Sequence, residues 1–379
     1  MKRLILFITA VVILFVGTTV YAKDMETLTG KSLLLASMDG KILYEKNIDE
    51  KLPIASITKI TTALLVMEAV DDGKITLDDM VTVSETAAIK TGSRIFLSVG
   101  EQISVRDLMK GLMVASGNDA AITLAEYLCG SQDAFVNEMN KRAKQLGMEN
   151  TNYENCHGLD SDNHYSTARD IMTVTAELMK HPGIFDYSTI WMDTLRNGEF
   201  QLSNTNKLIR FYEGATGMKT GSTTKAKNCL CATAERGGMH LIAIVLQAPT
   251  SQDRFGDAST MLNYGFNTFE KVKVCEKNAV HSYLDIEKGE ANSVGLLFND
   301  DFSTIVKKGE SSNISYEIKK VPQKLKAPIE KGEKIGVAEI YNGDEKIGEV
   351  DMVARDSVNK ITIWYIFRRL FQLFADFVL

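Results

Sequence analysis

The stretch from residue 229 to residue 246 restricts the possible folds of this chain more than any other. It contains two apolar, strand-like runs, 229–234 and 240–246. Between them lies Arg236-Gly237-Gly238, and paired glycines are favoured in the tight turn that joins two antiparallel strands. The pattern therefore predicts a β-hairpin that belongs to a sheet. The motif Lys219-Thr220-Gly221, which comes before it, is predicted to lie on a strand of the sheet.

A helix is predicted to begin near Ser56. Residues 57–70 place apolar side chains at near-helical spacing, and the run ends at Asp71-Asp72-Gly73. Ser56 follows an extended approach that contains Pro53, so it lies at the start of this helix. Lys59 is one turn further along on the same face, where its amine can reach the Ser56 hydroxyl. The pair fits the motif S-x-x-K, although a serine here can also be an ordinary helix N-cap.

Two further short motifs follow along the chain. Ser116-Gly117-Asn118 separates two patterns of helical spacing, 104–113 and 120–128. It puts two polar side chains inside an apolar helical hairpin, where burial is costly; ordinary turn chemistry is the alternative. Lys219-Thr220-Gly221 lies on the strand that precedes the hairpin. Gly221 has no side chain, so a ligand could approach the backbone closely there.

Each motif has further copies, and local context selects among them. Ser222-Thr223-Thr224-Lys225 follows a glycine-rich turn, and Ser357-Val358-Asn359-Lys360 lies in a polar stretch. Ser161-Asp162-Asn163 lies in a polar loop and is predicted to be a turn. Lys90-Thr91-Gly92 has no sheet beside it and is predicted to be a surface loop. The copies whose context fits a site are 56–59, 116–118 and 219–221.

The ordered set S-x-x-K, S-x-N and K-T-G is the signature of serine β-lactamases and penicillin-binding proteins. With additional matching stretches, the chain resembles a D-alanyl-D-alanine carboxypeptidase, a low-molecular-mass penicillin-binding protein, over roughly residues 25–355. Cys156 departs from the family pattern, which often has proline there, and Ser222 stands where some members have histidine. The additional stretches are 115–120, 165–170, 204–208, 217–221 and 264–266.

The resemblance implies an α+β fold with a β-lactamase/transpeptidase-like catalytic domain, in which helices flank an antiparallel sheet. A small β-rich domain and a C-terminal amphipathic helix would follow. The implied domain limits are a catalytic domain at 23–272, a β-rich domain at 273–356 and a membrane-anchoring helix at 357–379. The β-rich segment has short alternating runs separated by turns. The resemblance implies that it is a spacer that holds the enzyme off the membrane.

The chemistry expected of this site is acyl transfer without a metal or cofactor. A serine hydroxyl is a weak nucleophile unless a base takes its proton, and Lys59 could do so if burial and neighbouring cations lower its pKa. By resemblance, the oxyanion is bound by the backbone N–H groups of Ser56 and Ser222. The implied catalytic residues are Ser56, Lys59 and Ser116, and the implied substrate-binding residues are Asn118, Lys219, Thr220, Gly221, Ser222 and Arg254.

The expected substrate is a peptidoglycan stem peptide that ends in D-Ala-D-Ala, and β-lactams are expected to acylate Ser56 and leave slowly. A β-lactamase is one alternative, but Glu149 and Glu154 do not stand in the expected Glu-x-x-x-Asn pattern. A DD-endopeptidase needs a more open groove and is a second alternative. The third is an inactive, membrane-tethered cell-wall binding protein, against which the intact motifs argue.

Both ends of the chain are apolar. Residues 1–22 combine a basic start, an apolar core and Val20-Tyr21-Ala22, as in a secretory signal peptide, with an uncleaved anchor as the alternative. At the other end, Arg368, Arg369, Gln372 and Asp376 share one narrow helical face. Two arginines make spanning costly, so we expect an interfacial helix; packing on the protein or on a partner is the alternative. The protein is therefore expected at the outer face of the cytoplasmic membrane.

Charge and cysteine content exclude other classes. The net charge of −6 argues against a nucleic-acid partner. The five cysteines show no disulfide framework or zinc pattern, and the five histidines have no metal-ligand spacing.

Overall fold

The computed structural model describes residues 25–378. The predicted signal peptide, 1–22, lies outside the described residues. The α-helices are α1 (Lys59–Asp71), α2 (Glu85–Ala88), α3 (Val105–Met113), α4 (Asn118–Cys129), α5 (Gln132–Gln145), α6 (Ala168–Leu178), α7 (Phe185–Ser188), α8 (Leu208–Phe211), α9 (Ser251–Thr268) and α10 (Ile363–Val378).

The β-strands occur along the whole described chain and include those of the predicted sheet and of the predicted β-rich segment. They are β1 (Ser32–Ser37), β2 (Ile42–Lys46), β3 (Met80–Thr82), β4 (Gln102–Ser104), β5 (Met192–Leu195), β6 (Phe200–Ser203), β7 (Ala215–Thr223), β8 (Lys227–Arg236), β9 (Met239–Ala248), β10 (Phe269–Cys275), β11 (Val280–Glu287), β12 (Ser293–Phe298), β13 (Phe302–Lys307), β14 (Ile314–Lys319), β15 (Leu325–Lys326), β16 (Lys334–Asn342) and β17 (Glu345–Ala354).

The predicted hairpin is confirmed and forms the centre of a five-stranded antiparallel sheet. The strand order is β2-β1-β9-β8-β7, with Arg236 opposite Met239 at the turn. Gly237 and Gly238 have φ values of 57° and 73°. Positive φ at both turn residues matches the twist of the flanking strands, and glycine takes that conformation without steric cost. Strand β7, which carries Lys219-Thr220-Gly221, is therefore an edge strand.

Helices cover both faces of this sheet. Side chains alternate along a strand, so Leu34 of β1 faces one hydrophobic cluster while Leu33 and Leu35 face another. The first cluster contains α1, α3, α4, α5 and α6, and the second contains α9. Helix α9 begins with a capping box between Thr250 and Asp253. The site motifs lie on the face covered by the first cluster and at the β7 edge.

A third hydrophobic cluster forms the core of the C-terminal, β-rich part of the chain. It lies within a six-stranded sheet of order β14-β16-β17-β12-β11-β15, while β10 and β13 form a separate pair that follows α9 directly. The predicted α+β class, with a β-rich C-terminal part and a final helix, is confirmed. The domain limits at 272/273 and 356/357 stay predictions. Among residues 25–378, no helix has the length and apolar character that crossing a bilayer requires.

Candidate active site

Ser56 lies in a tight 3-10 turn that runs directly into α1. The turn covers Ala55–Thr58, and Ala55 takes a positive φ of 49°. The Lys59 Nζ is 2.9 Å from the Ser56 Oγ, as the one-turn spacing predicts. The Ser56 side chain makes no helix-capping hydrogen bond, since the N-cap residue of α1 is Thr58. The hydroxyl is therefore held by Lys59 and not by the helix backbone.

Two glycines let other segments close around this turn. A Cβ at Gly221 of β7 would lie 2.8 Å from the Ile54 carbonyl oxygen and 2.9 Å from the Ser56 nitrogen. A Cβ at Gly158 would lie 1.9 Å from the Ala55 carbonyl oxygen, and the φ of Gly158 is +91°. Only residues without a side chain fit at these positions, so the sheet edge and the 155–160 loop both touch the serine backbone.

The Lys59 side chain is completely buried and has three oxygen neighbours. Its Nζ donates to the Ser56 Oγ, to the Asn118 Oδ1 at 2.7 Å and to the His157 carbonyl oxygen at 2.7 Å. Burial lowers the pKa of Lys59 to about 7, against the opposite influence of Cys156 and Asp119. Burial is thus the cause of the shift that the sequence led us to expect. Lys59 in turn helps to lower the pKa of Lys219.

Ser116 and Asn118 lie where α3 gives way to α4. Ser116 is buried, has a φ of 63° and makes no hydrogen bond through its hydroxyl within residues 25–378. The Asn118 amide is fixed from both sides, because its Nδ2 donates to the Thr91 carbonyl oxygen at 2.7 Å while its Oδ1 accepts from Lys59. The prediction that Lys90-Thr91-Gly92 is a surface loop agrees with the structure, which places this segment outside any helix or strand. That segment is exposed, yet it supports Asn118.

Lys219 and Thr220 point into the protein from β7. Burial lowers the pKa of Lys219 well below its usual value, with smaller contributions from Lys59 and Arg254. Its only hydrogen bond within the described chain goes to the Thr220 carbonyl oxygen, at 3.1 Å. The Thr220 hydroxyl donates to the Thr205 Oγ1 at 2.7 Å, and Ser222 is exposed. In its protonated form Lys219 has two N–H bonds left for an anion, and an anion bound there would favour that form.

Arg254 reaches the same strand from the first turn of α9. Its Nη1 donates to the Gly221 carbonyl oxygen at 3.0 Å and to the Cys229 carbonyl oxygen at 3.3 Å. Its Nε is buried without a partner, and burial lowers its pKa. One edge of the guanidinium is thus committed to the backbone. The structure therefore brings all nine predicted site residues to one place, around the Ser56 turn and the β7 edge.

Several contacts at the site had no counterpart in the sequence prediction. Thr205 was recognised only as part of a family-like stretch, and the structure pairs it with Thr220. Asp119 accepts hydrogen bonds from the backbone N–H groups of Ile95 and Leu97. The Lys59 acceptor at His157 is a backbone carbonyl, which carries no sequence signal.

The described residues hold no group of three or more His, Cys, Asp or Glu side chains that could bind a metal ion. All five cysteines are free thiols.

Comparisons with known proteins agree with this geometry. The family model described as D-alanyl-D-alanine carboxypeptidase matches residues 18–250, and the model of the penicillin-binding protein 5 C-terminal domain matches residues 269–360. The Bacillus subtilis D-alanyl-D-alanine carboxypeptidase DacF is 40% identical over 334 residues, which are 87% of this chain and 86% of that protein. Escherichia coli DacC is 35% identical over 86% of this chain and 84% of its own.

Solved structures give the same result. Penicillin-binding protein 5 from Haemophilus influenzae superposes with a TM-score of 0.75 at 33% identity, over 88% of this chain and 98% of that one. Penicillin-binding protein D2 from Listeria monocytogenes, in its ampicillin-bound form, gives a TM-score of 0.58 at 36% identity, over 63% of this chain and 98% of its own.

Fold and site together define a serine enzyme of the penicillin-binding class. The chain belongs to the D-alanyl-D-alanine carboxypeptidase family. The predicted activity is confirmed at this level: the protein is a serine-type D-Ala-D-Ala carboxypeptidase of cell-wall maturation, and this activity is consistent with export.

Proposed function

We propose that Ser56 is the nucleophile and Lys59 the general base of this carboxypeptidase. The observation that carries the proposal is the 2.9 Å contact between Ser56 Oγ and a buried Lys59 Nζ. The carbonyl of His157 and the Oδ1 of Asn118 can only accept hydrogen bonds. A neutral Lys59 would donate its two N–H bonds to them, so its lone pair would point at the Ser56 hydroxyl. Burial supports this state at neutral pH.

The proposed reaction is the transfer and hydrolysis of the stem-peptide acyl group. Ser56 Oγ attacks the carbonyl between the last two D-alanines as Lys59 takes its proton. The backbone N–H groups of Ser56 and Ser222 bind the oxyanion. Ser116 relays a proton to the nitrogen of the departing D-alanine, and the C–N bond breaks. Water then cleaves the ester, which releases the shortened peptide and restores the Ser56 hydroxyl.

The remaining residues are proposed to hold the substrate. Asn118 would bind the amide upstream of the scissile bond, and Gly221 lets the peptide approach β7. Lys219, Thr220 and Ser222 would bind the terminal carboxylate, which suits an ammonium with unused N–H bonds. Arg254 supports that side, although its Nη1 already holds the backbone of β7.

Active-site labelling tests this proposal. We expect fluorescent penicillin to form an adduct on Ser56. This adduct should be absent from Ser56→Ala and should persist in Ser357→Ala, whose serine belongs to another S-x-x-K copy. We also expect release of D-alanine from a peptide ending in Lys-D-Ala-D-Ala. Rapid hydrolysis of penicillin without D-alanine release would favour a β-lactamase. Labelling elsewhere than Ser56 would reject the assignment.

We further propose that α10 attaches the enzyme to a membrane surface, with the domain limits predicted above. Several of its large apolar side chains are exposed, among them Ile363 at 89%, Trp364 at 76% and Phe371 at 69%. Tyr365 OH donates to the Glu290 carbonyl oxygen at 2.8 Å, which ties the start of the helix to the β-rich part. Exposed apolar area of this size, beside Arg368 and Arg369, is typical of interfacial helices.

Co-sedimentation with vesicles tests the membrane proposal. Vesicles containing phosphatidylglycerol should bind the protein, and a variant with Trp364→Ser and Phe371→Ser should stay in solution. The matched control is Val280→Ser with Tyr283→Ser, which removes exposed apolar groups from the β-rich part. Equal binding by all three proteins would contradict a role for α10.

A further inference from the structure

The 89–101 loop, which connects α2 to β4, lies directly against Asn118. The backbone N–H of Asn118 donates to the Ser93 carbonyl oxygen at 2.7 Å, so the peptide bond between Ser93 and Arg94 touches this residue. The buried carboxylate of Asp119 fixes the next part of the loop through the N–H groups of Ile95 and Leu97. Arg94 is therefore held at the active site by backbone contacts on both sides of it.

The Arg94 guanidinium makes neither a hydrogen bond nor an ion pair within residues 25–378. Its Nε is buried without an acceptor, and the group lies over the ring of Phe96, with 4.9 Å between Cζ and the ring centroid. A buried donor without an acceptor costs free energy, so such a group in a native structure needs an explanation.

Several acceptors of the loop are already engaged by other residues. The carboxylate at the end of this loop, Glu101, is bound by Arg196 at 2.8 Å. Arg196 also donates to the carbonyl oxygens of Ile95 and Phe96, at 3.1 Å each. The contact with the Phe96 ring uses none of the Arg94 N–H donors. A guanidinium with free donors can bind a carboxylate with two parallel hydrogen bonds.

We propose that Arg94 binds a second carboxylate of the substrate, one that the stem peptide carries upstream of D-Ala-D-Ala. The inference rests on the proposed function, in which Asn118 binds the amide upstream of the scissile bond and Lys219 lies on the side of the terminal carboxylate. Because Arg94 adjoins Asn118, the part of the peptide that it meets is the part beyond that amide. Arg94 is thus a specificity-determining residue for the known reaction.

Two peptides that differ in one group test this role. The first has a γ-linked D-glutamyl residue with a free α-carboxylate before Lys-D-Ala-D-Ala, and the second has the α-carboxamide instead. We expect the wild type to favour the carboxylate peptide by about tenfold in kcat/KM, the size of a hydrogen-bonded charge pair. Arg94→Met should abolish this preference, and Arg94→Lys should keep part of it. Arg355→Met, which removes an arginine stacked on Tyr283 in the β-rich part, should leave it unchanged.

Penicillin labelling separates this inference from the proposed function. The same two peptides are tested for protection of Ser56 against fluorescent penicillin, which requires binding but no turnover. The expected result is stronger protection by the carboxylate peptide in the wild type and equal protection in Arg94→Met. An equal preference in wild type and Arg94→Met, or a uniform loss of labelling in Arg94→Met, would overturn the inference.

Discussion

At the scale of single residues, the reactivity of the site depends on the positions of two hydrogen-bond acceptors, Asn118 Oδ1 and the His157 carbonyl oxygen, around the Lys59 amine. The sequence placed Lys59 one turn from Ser56, and helix geometry then made their contact predictable. It did not reveal the acceptors at Asn118 and His157, which come from other segments. Burial by those segments lowers the pKa of Lys59, so the property that matters for chemistry is supplied by residues far away in sequence.

The pH dependence of acylation follows from this pKa. Below about 7 the Lys59 amine is protonated and has no lone pair for the Ser56 proton. The second-order rate constant for penicillin acylation should therefore fall about tenfold for each pH unit below 7 and level off above it. Stopped-flow or gel-based labelling between pH 5 and 9 measures it, with Lys225→Ala as a surface control. A flat profile between pH 6 and 8 would contradict Lys59 as the base.

A methyl group at Gly221 should disturb the Ser56 turn. The added Cβ would lie 2.8 Å from the Ile54 carbonyl oxygen, which is backbone and has little room to move. We expect Gly221→Ala to slow penicillin acylation at least tenfold, or about 1.4 kcal/mol. Gly256→Ala is the matched control, because nothing lies within 4 Å of its added Cβ in α9. That variant should acylate normally and gain about 0.5–1 kcal/mol of stability; equal rates in both variants would refute the packing argument.

At the scale of elements, the α3–α4 junction and the 89–101 loop act as one support for Asn118. The sequence correctly predicted that Ser116-Gly117-Asn118 interrupts two helices. It did not reveal that the loop Lys90-Thr91-Gly92 supports Asn118, because the contact is made by a backbone carbonyl, and every residue type has one. Asp119 joins the two elements, since its carboxylate accepts from Ile95, Leu97 and Ala120.

Asp119→Asn should loosen this support. One carboxylate oxygen becomes an NH₂ group facing an N–H donor, so we expect a loss of about 1–3 kcal/mol of unfolding free energy. The Asp119 charge also raises the pKa of Lys59, so the acylation profile should move to lower pH. Urea denaturation and the labelling profile measure the two effects.

Asp49→Asn provides the comparison for this variant. Asp49 is exposed and paired with Arg169, so its loss should cost less than about 1 kcal/mol. An Asp119→Asn protein as stable as Asp49→Asn would show that the loop does not depend on the carboxylate.

At the scale of the whole molecule, the site and the β-rich part have separate hydrophobic cores. The cluster around α1 and the cluster between β12, β16 and β17 share no residue. The two parts are joined by the second cluster, which includes Ile305 of β13, and by contacts such as Lys41 Nζ to the Ile305 carbonyl oxygen at 2.6 Å and Lys308 Nζ to the Phe266 carbonyl oxygen at 2.9 Å. Local damage in one core should therefore stay local.

Core truncations in the two parts test this separation. Leu64 and Ile340 are both fully buried, the first in α1 and the second in β16. Each change to alanine should cost about 2–5 kcal/mol of stability in its own part. Ile340→Ala should acylate at the wild-type rate, whereas Leu64→Ala should slow acylation because α1 carries Lys59. Calorimetry with parallel labelling measures both, and slowed acylation in Ile340→Ala would show coupling between the cores.

The sequence by itself determined what depends on neighbours along the chain: the helix that places Lys59 by Ser56, the hairpin with two glycines at its turn, and the order of the three motifs. Only the tertiary structure decided which distant groups complete the site. It brought the carbonyls of His157, Thr91 and Ser93 to Lys59 and Asn118, and left the Arg94 Nε without an acceptor among residues 25–378. The physical reason is that periodicity and turn chemistry are local, whereas burial and hydrogen bonding to a backbone carbonyl depend on how the whole chain packs.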